Sequence, residues 1–598
     1  LKVELHADDW LLTMSLVGLK RLFPEEAEAI PTGIRFDMSH LEDITDRYFN
    51  YLLNNYSIAE RENRITARSL SRIGSSTDTF KEAKKQVQKR MTDQLKKIVK
   101  YFPDLEATAE LENSLEVVKK IKKQEELPLL EEKKDIYIET LRTEAIHDKL
   151  TLNFAKSVIL SPLFGQVSFL NVVHNSKTIS EQKEIMEKDY IRPAILETKW
   201  LELLNNETDM EKLRQFLEDH NDYKPFKNWL KVAKKLDTVT QMKTYMEGNI
   251  PPCILLEGQL GTGNFEEMIF SPLGTSLDKS LNFSWNLNKK QPVPLSALGR
   301  LILFMVPIGA SVYQRKIGFG NQSEYENFYG FLYYNDHFAN VYQTNNHYRS
   351  HRLNENPFEE VIIDVLQEST SKAQYKKQEY MFIEFHSNYD SKKTLLDYYH
   401  MPAYITEFFL QSGKTLRWIH RYEYREAFIR SILDGKDPKQ ILFRYMKEVV
   451  NSNRDGINIL MAVRERRRFQ LLKKGVADVK ENSKIVYHTF KQGQSLRRNL
   501  LGEQKAREAA MKGVYTAGGD KRIRGIAYRL LNASKAGHRK NFLDTVYRLY
   551  LGADMEIPTV LLNVLHERDA DFETITSAFI SGLLSNDNIE QENGVKEQ

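Results

Sequence analysis

One cysteine in 598 residues, Cys253, rules out an intrachain disulfide and any cysteine cluster for a structural zinc. Such cysteine poverty suits a reducing cytosol. Long apolar runs are missing too. The most hydrophobic stretch, Leu301 to Val312, is interrupted by Pro307 and closed by Arg300 and Arg315. It is well short of the roughly 20 residues that cross a bilayer, so it reads as a buried helix followed by a strand, and no membrane partner is expected. Leu1 to Trp10 carries Glu4, Asp8 and Asp9 where a secretory signal needs an unbroken apolar run, which points to a cytoplasmic protein.

Catalytic signatures are equally scarce. The string Gly258-Gln-Leu-Gly261-Thr-Gly263-Asn264 lacks the Lys-Ser/Thr ending that completes a P-loop, and it reads as a turn. His147-Asp148 is the one His-Asp doublet, without the further ligands at helical spacing that a metal-dependent phosphohydrolase requires. Gly518-Gly519-Asp520 precedes a basic helix, which makes Asp520 a helix cap rather than a catalytic carboxylate. Neither a His-Glu-x-x-His pair nor a lipase-type serine elbow occurs. No catalytic residue, metal or cofactor is assigned, and the expectation is a protein that is not an enzyme.

What the sequence does hold is size and an uneven charge. A chain of 598 residues predicts two to four packed units. With 41% hydrophobic and 28% charged residues it reads as globular. The net charge of +4 conceals a strong polarisation: residues 461–550 hold 22 Lys and Arg against 7 Asp and Glu, whereas residues 551–598 hold 2 against 10. A cationic block of this density repels itself unless it is solvated or matched by a polyanion, for which a phosphate backbone is the usual partner. A solvated helical face is the plain alternative.

Two features favour the phosphate. Arginine dominates the block, and guanidinium forks suit phosphate oxygens. The basic residues also sit on helices with a separate apolar stripe: Ile523, Ile526, Ala527, Leu530 and Leu531 fall at i, i+3, i+4, i+7 and i+8. The stripe continues through Phe542, Val546, Leu549 and Tyr550, and again, after Asp571 as a cap, through Ile575, Ala578, Phe579 and Gly582. The candidate nucleic-acid contacts are Arg464, Arg466, Arg467, Arg468, Lys473, Lys474, Arg497, Arg498, Lys521, Arg522, Arg524, Arg529, Arg539 and Lys540.

Upstream, Lys2 to His6 alternates like a strand, and Asp8 or Asp9 caps a helix through Leu12, Leu16, Leu19 and Phe23. Phe80 to Ile98 predicts a helix with Lys81, Lys84, Lys85 and Lys89 on a solvated face. Blocks of like charge around Pro128 mark Lys119 to Asp135 as an exposed hinge, and Pro251-Pro252 marks a second boundary. Beyond it, Phe283 to Tyr348 holds 14 aromatics in 66 positions, about twice the density of the whole chain, so Phe328–Tyr334 and Tyr380–Phe385 predict strands. Around them, Asn321, Asn345, Asn346, His347, Arg349 and Arg352 either read base edges or belong to an Asn-rich turn region beside a tyrosine-rich sheet. The fold class expected is α+β. A mostly helical region with short strands (1–250) and a central α+β region with an aromatic-rich sheet (251–440) precede an all-α, basic carboxyl-terminal bundle (441–598).

The string Arg524-Gly-Ile-Ala-Tyr-Arg-Leu-Leu-Asn532, followed by Lys535-Ala-Gly537, Phe542-Leu-Asp-Thr545, Tyr547-Arg-Leu-Tyr550 and Ala578-Phe-Ile-Ser-Gly-Leu583, resembles the large subunit of the type I-B CRISPR Cascade. The opening Asp9-Trp10, leading into a helix with Gly18, is similar to that family's amino terminus. The resemblance implies a non-catalytic antiviral-defence subunit that contacts guide CRISPR RNA and senses a flanking motif in double-stranded target DNA. It also implies help in opening that DNA and in stabilising the displaced single strand. Base pairing with the guide reads sequence while the protein reads the flanking motif, by analogy with another effector class.

Its implied partners are the backbone, 5′-handle-binding and small subunits, and a helicase-nuclease or a transposition module. Asn321, Asn345, Asn346, His347, Arg349 and Arg352 would sense the motif. Some relatives carry a cysteine pair in mid-chain; here Cys253 stands alone with Leu256 nearby, so no zinc is expected. The small subunit of such complexes can arise from an internal start, for which Met446, Met461 and Met511 are candidates. Two rival readings are a nucleic-acid-processing enzyme, such as a nuclease, with carboxylates that form no motif, and a helical scaffold that binds only protein.

Overall fold

The computed structural model describes residues 2–73, 77–165, 167–265, 270, 272, 293–317, 324–350, 352, 379–388, 393–452, 456–476, 479–501, 517–562 and 570–585. The chain divides into two compact units, one of residues 1–314, 325–349 and 383–397, the other of 315–324, 350–382 and 398–598. This division differs from the three ranges drawn from composition, because the second unit starts well before residue 441.

In the first unit, β1 (Lys2–His6), β2 (Glu28–Ile30) and β3 (Gly33–Asp37) form an antiparallel sheet in the order β1-β3-β2, with Lys2 opposite Asp37. Arg35 on the middle strand pairs with Glu4 at 2.8 Å and Glu28 at 3.2 Å on its two neighbours, the cross-strand charge pairing that fixes register. The Asp9 carboxylate accepts the Leu12 N–H at 2.8 Å and so caps α1 (Trp10–Leu22), as its sequence position predicts.

Next come α2 (Ile44–Asn55), α3 (Ile58–Ser71), α4 (Thr77–Tyr101), α5 (Glu106–Lys120), α6 (Leu127–Arg142) and α7 (Glu144–Phe154). Helices α3–α7 share a core that includes Phe80, Val87, Met91, Leu111, Tyr137 and Leu141. The apolar stripe expected on α4 is the buried one, with Lys81, Lys85 and Lys89 exposed. The hinge expected at Lys119–Asp135 shrinks to Ile121–Glu126. Pro128 lies in the first turn of α6, where its missing N–H leaves no helical bond unmade, so the helix starts there instead of breaking.

Helix α7 runs into a π-helical segment, Ala155–Leu160. Then α8 (Ile179–Met186), α9 (Arg192–Asn206), α10 (Met210–Asp219), α11 (Lys224–Ala233) and α12 (Val239–Asn249) follow, and α9–α12 close a second core around Trp200, Phe226 and Trp229.

The Gly258–Asn264 string is a turn, with Gly258 at φ 73°, leading into β4 (Gly263–Asn264), which pairs with β5 (Pro294–Leu295). Cys253 is buried and its Sγ accepts the Ser296 N–H at 3.2 Å. Leu301–Val312 falls on α13 (Ala297–Leu303), α14 (Val306–Gly309) and the start of β6, the helix-then-strand expected. The sheet β6 (Ser311–Ile317), β7 (Glu324–Tyr333), β8 (Tyr380–Asn388), β9 (Lys393–Met401) is ordered β6-β7-β8-β9. It is aromatic-rich, with Tyr329 stacked on Phe385 at 5.2 Å between centroids. Helix α15 (Phe338–Ser350) follows β7 in sequence.

The second unit adds α16 (Ala403–Leu416), α17 (Tyr422–Leu433), α18 (Lys439–Ser452), α19 (Ile457–Lys473), α20 (Val479–Leu501), α21 (Ala517–Lys535), α22 (Arg539–Gly552), α23 (Thr559–Leu562) and α24 (Phe572–Leu584). The fold is therefore α+β with a helical carboxyl-terminal region, as the sequence predicts. No described helix is long and apolar enough to cross a membrane.

Candidate nucleic-acid interface

The carboxyl-terminal bundle is organised by α24, whose every residue but Glu573 is buried. Helices α19, α20 and α21 all pack against it. The approach of α20 is set by glycine: a Cβ on Gly582 would lie 2.1 Å from the Phe490 carbonyl oxygen, and one on Gly493 would lie 2.2 Å from that of Phe579. Only hydrogen fits between these backbones.

That arrangement decides which arginines face outward. Arg466 is 1% exposed. Its guanidinium holds Asp437 through two bonds of 2.6 Å, Asp571 at 2.8 Å and the Thr574 hydroxyl at 2.9 Å. Burial works against the charge of Arg466, but the two carboxylates hold its pKa above the ordinary arginine value. Asp571 is likewise opposed by burial, yet Arg466 and Thr574 bring its pKa down to about 2.

Glu465, fully buried, accepts Arg464 at 3.1 Å and Arg468 at 2.9 Å. Arg467 is 7% exposed. The cluster Arg464, Arg466, Arg467 and Arg468 was expected to meet phosphate; Arg466 and Arg467 are instead buried, while Arg464 and Arg468 are part-exposed and tied to Glu465. The physical reason is that α19 is flanked on most sides, with Ile459, Leu460, Val463, Phe469 and Leu472 all buried. Asp571 precedes α24 as expected but gives its carboxylate to Arg466 and Thr574 rather than to the helix N–H groups.

The other candidates are distributed as follows. Lys473 and Lys474 are exposed at the end of α19, with Lys473 Nζ donating to the Gly435 carbonyl at 2.7 Å. Arg497 donates to the Leu583 carbonyl at 2.9 Å, on the last turn of α24, where a cation meets the negative helix end. Arg498 is exposed. Arg539 lies over the Phe572 ring at 5.5 Å.

Helix α21 carries the outward charge. Ile523, Ala527, Leu530 and Leu531 are buried, as the stripe predicts. Lys521, Arg522, Arg529 and Lys535 are exposed, and Arg524 is half-buried. After the turn at Gly537, φ 68°, Lys540 and Arg548 are exposed on α22. Asp520 falls inside α21 rather than before it.

Sequence reasoning missed two residues on this face. Tyr528 is 40% exposed amid the cations. Gly525 is exposed, and a Cβ placed there would meet nothing within 4 Å. A glycine inside a helix costs about 1 kcal/mol relative to alanine, and no neighbour in this fold requires it. The spacing of Lys521, Gly525, Tyr528, Asn532 and Lys535 was the available signal, since it places all five on one helical face.

The residues expected to sense a flanking motif are mostly engaged inside the first unit. Asn345 is 1% exposed and makes three bonds: its amide donates to the Leu332 and Val341 carbonyls at 2.8 and 2.9 Å, and its oxygen accepts the Leu332 N–H at 2.9 Å. Asn346 accepts Arg21 at 2.7 Å. Arg349 donates to the Asn55 side chain and covers the Tyr51 ring at 4.9 Å. Because α15 is a helix fastened to β7 and α1, Asn345 serves as a buried brace, while Asn346 and Arg349 make their bonds from half-buried positions. His347 and Arg352 are half-buried, and Asn321 lies outside the described residues.

His147 bonds Asp148 at 3.2 Å and the Ser57 hydroxyl at 2.9 Å. Among the described residues, no group of three His, Cys, Asp or Glu side chains is placed to hold a metal ion. Comparison of the chain with protein-family models, curated proteins and solved structures found no match.

Proposed function

We propose that the chain grips a single nucleic-acid strand along α21 and α22 as the non-catalytic large subunit of a cytoplasmic, RNA-guided interference complex of the CRISPR Cascade kind. The observation that carries the strand contact is the exposed face of α21, where Lys521, Arg522 and Arg529 surround Tyr528 and Gly525. Cations at helical spacing track a phosphate backbone, an exposed tyrosine offers a stacking plane for a base, and a bare glycine lets the strand approach the helix. The membership of such a complex rests on the carboxyl-terminal strings already quoted. Guide RNA, target DNA, the other subunits and the helicase-nuclease or transposition module are its partners on this reading.

Fluorescence anisotropy with a labelled single strand across a salt series tests the contact. Reversing Lys521, Arg522 and Arg529 to glutamate is expected to weaken binding more than about tenfold for every sequence and to flatten the salt slope by roughly 0.7 per lost phosphate contact. Gly525→Ala is expected to raise the stability of α21 by up to about 1 kcal/mol while weakening the strand. Variants that bind like the parent, with the same salt slope, would sink the strand contact. Purification of the tagged chain from its host without any RNA or partner subunit would sink the complex.

The resemblance also suggests a shorter product from an internal start. One beginning at Met446 or Met461 would keep Arg466 and Asp571 but lose Asp437.

A further inference from the structure

We propose that a cleft in the first unit, bounded by α3, α4, α7 and the π-helical turn after it, binds a nucleoside monophosphate group, either free or as the phosphorylated end of a strand. The cleft has a volume of about 320 Å³ and is lined by Arg61, Lys97, Lys100, Tyr101, Asn153 and Asn175 among others. That size is at the lower end for small-molecule sites.

Three carboxamides single it out. Gln94, 3% exposed, lines the cleft with its Oε1 unpartnered, and the buried Oδ1 atoms of Asn153 and Asn175 also have no partner. Buried acceptors are nearly always paired in folded proteins, so three carboxamides beside one cleft stand to gain from a ligand that brings donors once they turn toward it. The cations call for negative charge. Glu62 takes Arg61 at 2.9 Å and Arg90 at 2.9 Å and so offsets Arg61, while Lys97 and Lys100 are exposed at the rim. The aromatic rings border the cleft with cations over them: Tyr101 lies under Lys100 at 5.3 Å and Lys149 at 5.2 Å, and Phe154 under Arg61 at 4.7 Å. The π-helical turn Ala155–Leu160 puts Ser157 and Val158 in the wall, and such turns recur at functional sites.

A nucleoside monophosphate meets all three demands. Its phosphate suits Lys97 and Lys100, the N–H edge of its base suits the carboxamide oxygens, and its ring packs against the Arg61–Phe154 pair. Inorganic phosphate would satisfy the lysines alone. The cleft belongs to the first unit and the α21 face to the second, and this proposal stands or falls independently of the strand contact.

Calorimetric titration of the full chain tests it with adenosine, cytidine, guanosine and uridine monophosphates, inorganic phosphate, and a short RNA with and without a 5′-phosphate. At least one nucleotide is expected to bind about tenfold or more tighter than inorganic phosphate. Lys97→Glu with Lys100→Glu should cost about tenfold, and Asn153→Leu should cost binding without lowering the melting temperature. Charge reversal at Arg522 and Arg529 should leave nucleotide binding unchanged. Tighter binding of the 5′-phosphorylated RNA than of its 5′-hydroxyl form identifies a strand end as the occupant, whereas equal weak binding of both beside a tight mononucleotide identifies a free one. Failure of every probe at millimolar concentration, or binding indifferent to Lys97, Lys100 and Asn153, overturns the proposal.

Discussion

Arg466→Ala is expected to destabilise the carboxyl-terminal bundle by about 3–5 kcal/mol, the usual result of removing one partner from a buried ion pair. The arginine fills the space between Asp437 and Asp571, and its loss leaves two carboxylates beside Thr574 without the guanidinium that joins them, although Arg467 still lies near Asp571. Differential scanning calorimetry should register a fall of roughly 6–20 °C in the transition of this unit. Charge reversal at Arg522 or Arg529, both exposed, should move it by about a degree or less.

Acid should act at the same place. Asp571 is lowered from 3.8 to about 2 in the folded chain, so the unfolded state binds its proton first as pH falls. The sign follows: the contribution is complete above about pH 4 and is lost as pH descends toward the folded value. Asp571→Asn should remove this limb from a plot of stability against pH. A melting temperature for Arg466→Ala within a degree or so of the parent would refute the bracing role.

Gly493→Leu carries the second large effect. Ordinary overpacking costs about 1–3 kcal/mol, because flexible side chains give way. Here the new Cβ meets the Phe579 carbonyl oxygen at 2.2 Å, and Gly582 presents the mirror problem against Phe490. Neither oxygen can move without its helix, so α20 and α24 must separate and uncover Phe490, Leu496, Phe579 and Leu583, all buried now. A loss of about 3 kcal/mol or more is expected, at the upper end of the overpacking range, with a lowered denaturant midpoint as the readout. A midpoint matching the parent would show that the helices can part freely. Gly525 is the internal control, since its added methyl meets nothing.

These two sites also mark where sequence reading stops. The stripe Ile523, Ala527, Leu530 and Leu531 is legible because its partners repeat at helical spacing, and the Asp9 cap is legible because its donor lies three residues on. The charge on α21 could be assigned to its outer face for the same reason. Arg466 could not be placed, since its carboxylates are 29 residues before it and 105 after it. An arginine run inside an apolar helix looks like a binding patch until those distant acids are known. Asn345 misleads similarly: its carboxamide answers the Leu332 backbone, a partner set by how α15 returns to β7. The expected hinge at Pro128 failed for a local reason, because proline at a helix start and proline between helices look alike in composition.

Helix α24 has a temporal consequence during synthesis. It occupies the middle of the second unit yet is translated after the helices it holds together. Until residues 572–584 emerge, α19, α20 and α21 line an open apolar trench, and Arg466 has Asp437 but not Asp571. A nascent chain of that length is an incomplete shell with its seam facing water, the kind of surface that aggregates or recruits a chaperone.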